Sequence, residues 1–253
     1  LVHARQAGEL VTWLGGHPSL AIGPLLESHK HDVGDILVES LEHEREALNA
    51  MGVDAMGIGD DDLSLGKEAL KEILKKAKFP ILSSNLIDEE SGKPLFERFA
   101  IKEVNGLRIG LFSLLSPESF YGQWDPRKKG LMIQNPTETA QAIVKELQPK
   151  TDVIILLSHL SYPKDMELAQ TGSGIHLIVG SHTGINLSYP PVGKNTIVLQ
   201  TAPKGMYGGK LDLTFNNKEP HFYNAATRRS LENNLNLMKQ RLTSVNAPET
   251  EKA

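Results

Sequence analysis

Histidine and aspartate follow the ends of several apolar runs in this chain. Ser158-His159 follows Val153-Ile154-Ile155-Leu156-Leu157, and Gly180-Ser181-His182 follows Ile175-His176-Leu177-Ile178-Val179. Gly59-Asp60-Asp61-Asp62 follows Val53 to Ile58, and Asp32-Val33-Gly34-Asp35 stands just before the first clear helix. Open α/β sheets bind ligands beyond the carboxyl ends of their strands. Neutral imidazole and carboxylate together suit a divalent transition metal such as Zn, Mn or Fe. Each residue alone says little. A lone His at a strand end is more often a hydrogen-bonded structural residue, and three consecutive aspartates are ordinarily a solvated loop or helix cap. The delivery of His or Asp to one edge by several segments is what favours a site.

The elements that would position these residues alternate. Val38 to Met51 reads as a helix with Leu41, Ala47, Leu48 and Met51 on one stripe, and Leu65 to Lys78 as a second amphipathic helix. Val53 to Ile58 is a short strand, and 80–83 is extended. Phe99 to Val104 and Leu107 to Leu115 flank Asn105-Gly106, a hairpin signal. Thr137 to Leu147 is helical between Pro136 and Pro149, and Pro163 to Thr171 is a helix between two runs apolar enough to be buried on both faces of a sheet. Thr196 to Thr201 and Lys210 to Phe215 are expected to close that sheet. Strands alternating with helices define an α/β layered domain, and the hairpins make its sheets mixed. Residues 1–35 show no clear pattern. Near the end, Leu231, Leu235, Met238, Leu242 and Val245 follow the spacing of a short a/d seam. A helix packed on its own domain is the favoured reading, and a helix that pairs with another chain or domain is the alternative.

The 253 residues carry 27 Lys and Arg against 31 Asp and Glu, a net charge of −4, with no basic tract, which argues against nucleic acid as the main partner. No apolar run approaches the roughly 20 residues of a membrane-spanning helix. The chain has no cysteine, which excludes disulfides, thiolate metal sites and covalently attached haem. His3, His17, His29, His31, His43 and His221 read as surface residues, and His176 as a satisfied core residue. Trp13 and Trp124 are expected to pack under loops.

Several stretches resemble the metallophosphoesterase domain of the 5′-nucleotidase type, within the calcineurin-like superfamily. They are Leu48 to Ala55, Phe79-Pro80-Ile81-Leu82-Ser83-Ser84-Asn85, Val104-Asn105-Gly106-Leu107-Arg108-Ile109-Gly110, Asp152 to Leu160, Ile175 to Thr183 and Thr196 to Phe215. The likeness covers about residues 35 to 215 in consistent order. It implies a four-layer α/β/β/α sandwich with mixed sheets and a dinuclear metal centre, extracytoplasmic placement, a metallophosphoesterase-like domain over 1–229, and a C-terminal helix and tail over 230–253.

The resemblance also implies site residues. Asp35 matches the metal-bridging carboxylate, and Asp60 stands where the family has a ligating Asn. Asp61 stands where it has the loop His that assists the leaving group. His159 and His182 match histidine ligands. Other positions depart from the pattern: Gly184 replaces a second loop histidine, and Arg5 and Ala7 fall at the opening ligand positions, where Arg cannot bind metal. Asp35, Asp60, His159 and His182 thus remain as donors for one divalent ion (Mn, Zn or Fe), with Asp61 as the catalytic candidate and Arg5 as a substitute charge beside Asp35. Two expectations follow. The favoured one is a degenerate, non-catalytic or weakly active module of a larger extracytoplasmic protein or assembly, holding one metal or none and meeting a protein partner through the 231–245 helix. The alternative is a one-metal hydrolase of nucleotides or related small phosphate esters.

Overall fold

The computed structural model describes residues 2–3, 11–14, 33–122, 124–203, 207–213, 222 and 225–245. In chain order its strands are β1 (Val2–His3), β2 (Val11–Leu14), β3 (Met56–Gly57), β4 (Ile81–Leu82), β5 (Leu86–Asp88), β6 (Lys93–Pro94), β7 (Phe99–Val104), β8 (Leu107–Leu115), β9 (Leu131–Ile133), β10 (Val153–His159), β11 (Leu177–Gly180), β12 (Val192–Gly193), β13 (Thr196–Leu199) and β14 (Gly208–Leu211). The helices are α1 (Val33–Met51), α2 (Gly66–Leu74), α3 (Pro136–Leu147), α4 (Tyr162–Thr171) and α5 (Ala225–Val245).

β10 is buried along its whole length because it lies between two parallel neighbours, with Ile155 opposite Leu111 of β8 and Leu177 of β11. β13 extends the parallel set beside β11, while β7 and β12 pair antiparallel at the edges, giving a mixed six-stranded sheet in the order β12-β13-β11-β10-β8-β7. Side chains alternate across a strand. Phe112, Leu114, Ile154, Leu156, Ile178 and Val198 therefore share a core with α3 and α4. From α3 that core takes Ala140, Ile143, Val144 and Leu147, the i, i+3, i+4, i+7 stripe of an amphipathic helix. Asn135 caps α3 by accepting from the N–H groups of Thr137 and Glu138, with Pro136 at the first helical position.

A second core joins Leu48 of α1 and Leu70 and Leu74 of α2 to Met56, Ile58, Ile81, Leu86 and Leu115. Arg45 is buried there and donates from Nη1 to the carbonyl of Ile73 at 2.9 Å, which satisfies an orphan acceptor in the last turn of α2. β3 passes so close to β8 that a Cβ on Gly57 would collide with Ser113 Oγ. Asn85 bridges strand ends: it accepts from Leu115 N at 2.9 Å and donates to the carbonyls of Leu115 and Gln134 at 2.8 and 3.1 Å.

The hairpin forms as expected. Asn105 and Gly106 take φ of 52° and 81°, the two positive values a type I′ turn requires. Other expectations shift. α1 starts at Val33, so Asp35 sits in its first turn rather than before the helix. β14 does not close the main sheet; it pairs with β2, which pairs with β1, in a separate three-stranded sheet. The sequence pattern around residues 1–35 gave no hint of β2, so β14 had no visible alternative partner. Trp124 is exposed rather than packed under its loop, and His43 is exposed as expected. The side chains of Trp13, His3, His17, His29, His31 and His221 lie outside the described residues.

The chain divides into two compact units, Leu1–Pro220 and His221–Ala253. The second contains α5, on which Leu231, Leu235, Met238 and Leu242 are exposed. Among the described residues no helix is long and apolar enough to cross a membrane.

Candidate metal centre

The three aspartates after β3 have three separate environments. Asp62 is buried and accepts from Gly59 N at 2.7 Å, which closes the loop on itself. That turn aims Asp60 inward and leaves Asp61 largely exposed. His159 ends β10, and His182 lies two residues beyond β11 with φ of 71°, a left-handed conformation that turns the loop back over the strand end. Donor atoms of Asp60, His159 and His182 all lie within 4.8 Å of one another.

The proton arrangement around His159 follows from its neighbours. The Ser181 hydroxyl donates to the carbonyl of Ser158 at 2.8 Å, so its oxygen accepts from His159 Nδ1–H at 3.0 Å. That hydrogen bond fixes the tautomer and turns Nε2 toward Asp60 Oδ1, 2.7 Å away. Two lone pairs cannot face each other at that distance, so a positive charge, either a proton or a metal ion, belongs between them. A hydrogen bond from the far ring nitrogen is the usual support for a metal-binding imidazole. His182, its ring centroid 4.8 Å from that of His159, is held below the ordinary histidine pKa by burial and by the neighbouring imidazole, which favours the neutral, ligating form. Burial would raise Asp60, but the hydrogen bond and charge of His159 and the charge of Arg127 outweigh it and hold the carboxyl below its ordinary value.

Arg127 gave no sequence signal as a site residue. It lies in a 3₁₀ turn, Pro126–Lys128, capped by Asp125, which accepts from Arg127 N at 3.0 Å. The guanidinium reaches Asp60 Oδ2 at 2.6 Å and Asp61 Oδ1 at 3.1 Å, and lies over the rings of Phe120 and Tyr121. The Arg127 hydrogen bonds hold the Asp125 carboxyl well below the usual carboxylate range, and Asp125 in turn raises Arg127 further. Gln200 is a second missed residue. With its amide oriented to satisfy its neighbours, its Oε1 accepts from Gly184 N and Ile185 N, both at 3.2 Å, and braces the loop that carries His182. These residues line a cavity of about 480 Å³ together with Glu118, Ser119 and Thr201.

The structure therefore brings together Asp60, His159 and His182, and places Asp61 at the cavity wall. Asp35 lies in the first turn of α1, and its side chain is outside the described residues, as are Arg5, Ala7 and the charge substitution expected of Arg5. Gly184, expected as a departure from the pattern, takes φ of 66° and lines the same cavity without a donor. His176 is partly buried and its Nδ1 accepts from Ile154 N at 2.9 Å, as expected of a satisfied residue.

The fold is that of the 5′-nucleotidases and calcineurin-like phosphoesterases among solved structures. No family model matches the chain. A 5′-nucleotidase of Vibrio cholerae is 26% identical over 213 residues, which is 72% of this chain and 38% of that protein. The crystal structure of a 5′-nucleotidase precursor from Thermus thermophilus superposes with a TM-score of 0.63 at 28% identity, covering 76% of this chain and 41% of that one. The calcineurin-like phosphoesterase YfkN of Bacillus subtilis shares the fold, with a TM-score of 0.56 at 21% identity over 69% of this chain and 62% of its own. The chain's homologues are 5′-nucleotidase-type metallophosphoesterases, and it spans less than half the length of the curated relatives it matches.

Proposed function

We propose that this chain is the metal-binding domain of a phosphoester hydrolase of the 5′-nucleotidase type. In this reading Asp60, His159 and His182 hold a single divalent ion, with Mn, Zn and Fe matching the donor set, and Asp35 is a fourth donor. One observation carries the proposal: three donors from segments far apart in sequence converge in one cavity, with His159 Nδ1–H already committed to Ser181. The donor set fits such an ion, which when bound would supply Lewis-acid polarisation of a phosphoryl oxygen. The chain's own groups do the rest. Ser181 orients His159, Gln200 holds the His182 loop in place, and Asp61, exposed at the cavity wall, is positioned to exchange a proton with a leaving group. A nucleotide or related small phosphate ester is the substrate class, taken from the relatives, and extracytoplasmic placement rests on the family resemblance.

A second reading keeps the domain as a non-catalytic module. It is favoured by the ion pairs already made by Asp60 and Asp61 to Arg127, and by the exposed apolar stripe of α5, which would suit a protein partner. The experiment is metal analysis of the purified protein, then turnover of a generic aryl phosphate with added Mn²⁺. Stoichiometric metal and turnover that both vanish in His159→Ala support the hydrolase. Metal without turnover supports the module, and absence of both sinks the metal centre.

A further inference from the structure

Arg127 is placed where an arginine could grip a substrate phosphate, yet its donors are spent. Nη1 serves Asp60 Oδ2 and Asp61 Oδ1, Nη2 serves Asp125 Oδ2 at 2.8 Å and the carbonyl of Ser119 at 3.4 Å, and Nε serves Asp125 Oδ1 at 3.1 Å. A guanidinium has five N–H groups, and these contacts account for all five. The group is also largely buried, at 14% side-chain exposure against 10% for Asp60. It is fixed by the protein and has nothing left to offer a ligand.

The effect falls on Asp60. Oδ2 is occupied by Arg127, while Oδ1 faces His159 Nε2. A carboxylate held in this way offers one oxygen to an ion, and the adjacent guanidinium, which Asp61 and Asp125 share, offsets part of its charge. In that respect it approaches an asparagine carboxamide, which offers a single oxygen donor. We infer that Arg127 is a positioning residue that holds back Oδ2 and restricts Asp60 to a one-oxygen ligand of reduced charge, so that Asp60 and Arg127 act as a unit toward the metal ion.

This inference rests on the metal-binding reading above, and a double-mutant cycle on Mn²⁺ affinity, read by titration calorimetry without turnover, tests the two separately. In Asp60→Asn alone a single oxygen donor stays, but the guanidinium loses one of its three carboxylate partners and presents more of its charge to the ion. Mn²⁺ affinity should fall about 10-fold or more, within the range of outer-shell changes at metal sites. Adding Arg127→Gln removes that charge, and affinity should return to within about 3-fold of the parent, a coupling that independent sites do not show. Arg127→Met in place of Gln provides a second cycle should the first variant lose its fold, as read by circular dichroism. Additive effects, with the double variant as weak as Asp60→Asn or weaker, overturn the inference while leaving the metal centre intact. Absence of both Mn²⁺ and Zn²⁺ binding by the parent protein overturns the metal reading and this inference with it.

Discussion

The Nε2 of His159 faces Oδ1 of Asp60 across 2.7 Å, from a residue 99 positions away in sequence. The ring is turned that way by Ser181, whose hydroxyl is itself anchored on the carbonyl of Ser158. The geometry of the centre is thus set one step behind the donors.

Ser181→Ala leaves all three donors in place but releases the His159 ring and its tautomer. Mn²⁺ or Zn²⁺ affinity should fall roughly 10–100-fold, with the thermal midpoint of the metal-free protein little changed. Calorimetric titration of parent and variant measures this. An unaltered affinity would mean that Ser181 does not orient the ring.

Asp165 gives the fold a pH dependence. Its carboxyl is fully buried beneath the end of β10, accepts from Ser158 Oγ, and has a second oxygen with no hydrogen-bond partner among the described residues. Burial pushes its pKa up to about 7 from an ordinary 3.8, against the opposing pull of the Ser158 hydrogen bond. Between those values the unfolded chain releases a proton that the folded chain keeps. Stability from this group is therefore lost as pH rises from about 4 to about 7, by at most roughly 1.4 kcal/mol per pH unit. Asp165→Asn should flatten that slope in urea titrations across the window, and a variant with the parent's slope would assign the dependence elsewhere.

Asn85, just before β5, ties the end of β8 to the segment after β9 with three side-chain hydrogen bonds, at 1% exposure. Asn85→Ala leaves buried backbone groups unpaired, at about 1–3 kcal/mol for each group left without water. Denaturant unfolding should show a loss of several kcal/mol, whereas a loss below about 1 kcal/mol would mean that water replaces the side chain.

Gly57 tests the contact between β3 and β8. Gly57→Ala should cost about 1–3 kcal/mol through overpacking against Ser113, and Ser113→Gly in the same chain should recover part of it. Thermal melts of the single and double variants show whether the two positions are coupled.

Much of the layered architecture was legible because its signals are local. Asn105-Gly106 specifies a turn, and the stripe Ala140, Ile143, Val144, Leu147 specifies a buried helix face. The short strands β5, β6 and β9 were not legible, since two- or three-residue ladders leave no periodicity to read. His159 and His182 stood out as polar residues closing apolar runs. Arg127 did not: it sits in a polar, Pro-containing loop among Lys128 and Lys129, and only the folded chain carries its guanidinium to Asp60, a residue 67 positions earlier. Ser181 and Gln200 were invisible for the same reason, because a supporting hydrogen bond has no signature in the order of residues.

The wide separation of the three candidate donors along the chain has a consequence for when they can act together. Asp60 arrives with the core around α1 and α2, while His159 and His182 arrive with the strands that α3 and α4 cover. No single segment carries all three donors, so three-donor affinity for Mn²⁺ or Zn²⁺ belongs to the folded chain alone, and an ion bound there would favour the native state over the unfolded one.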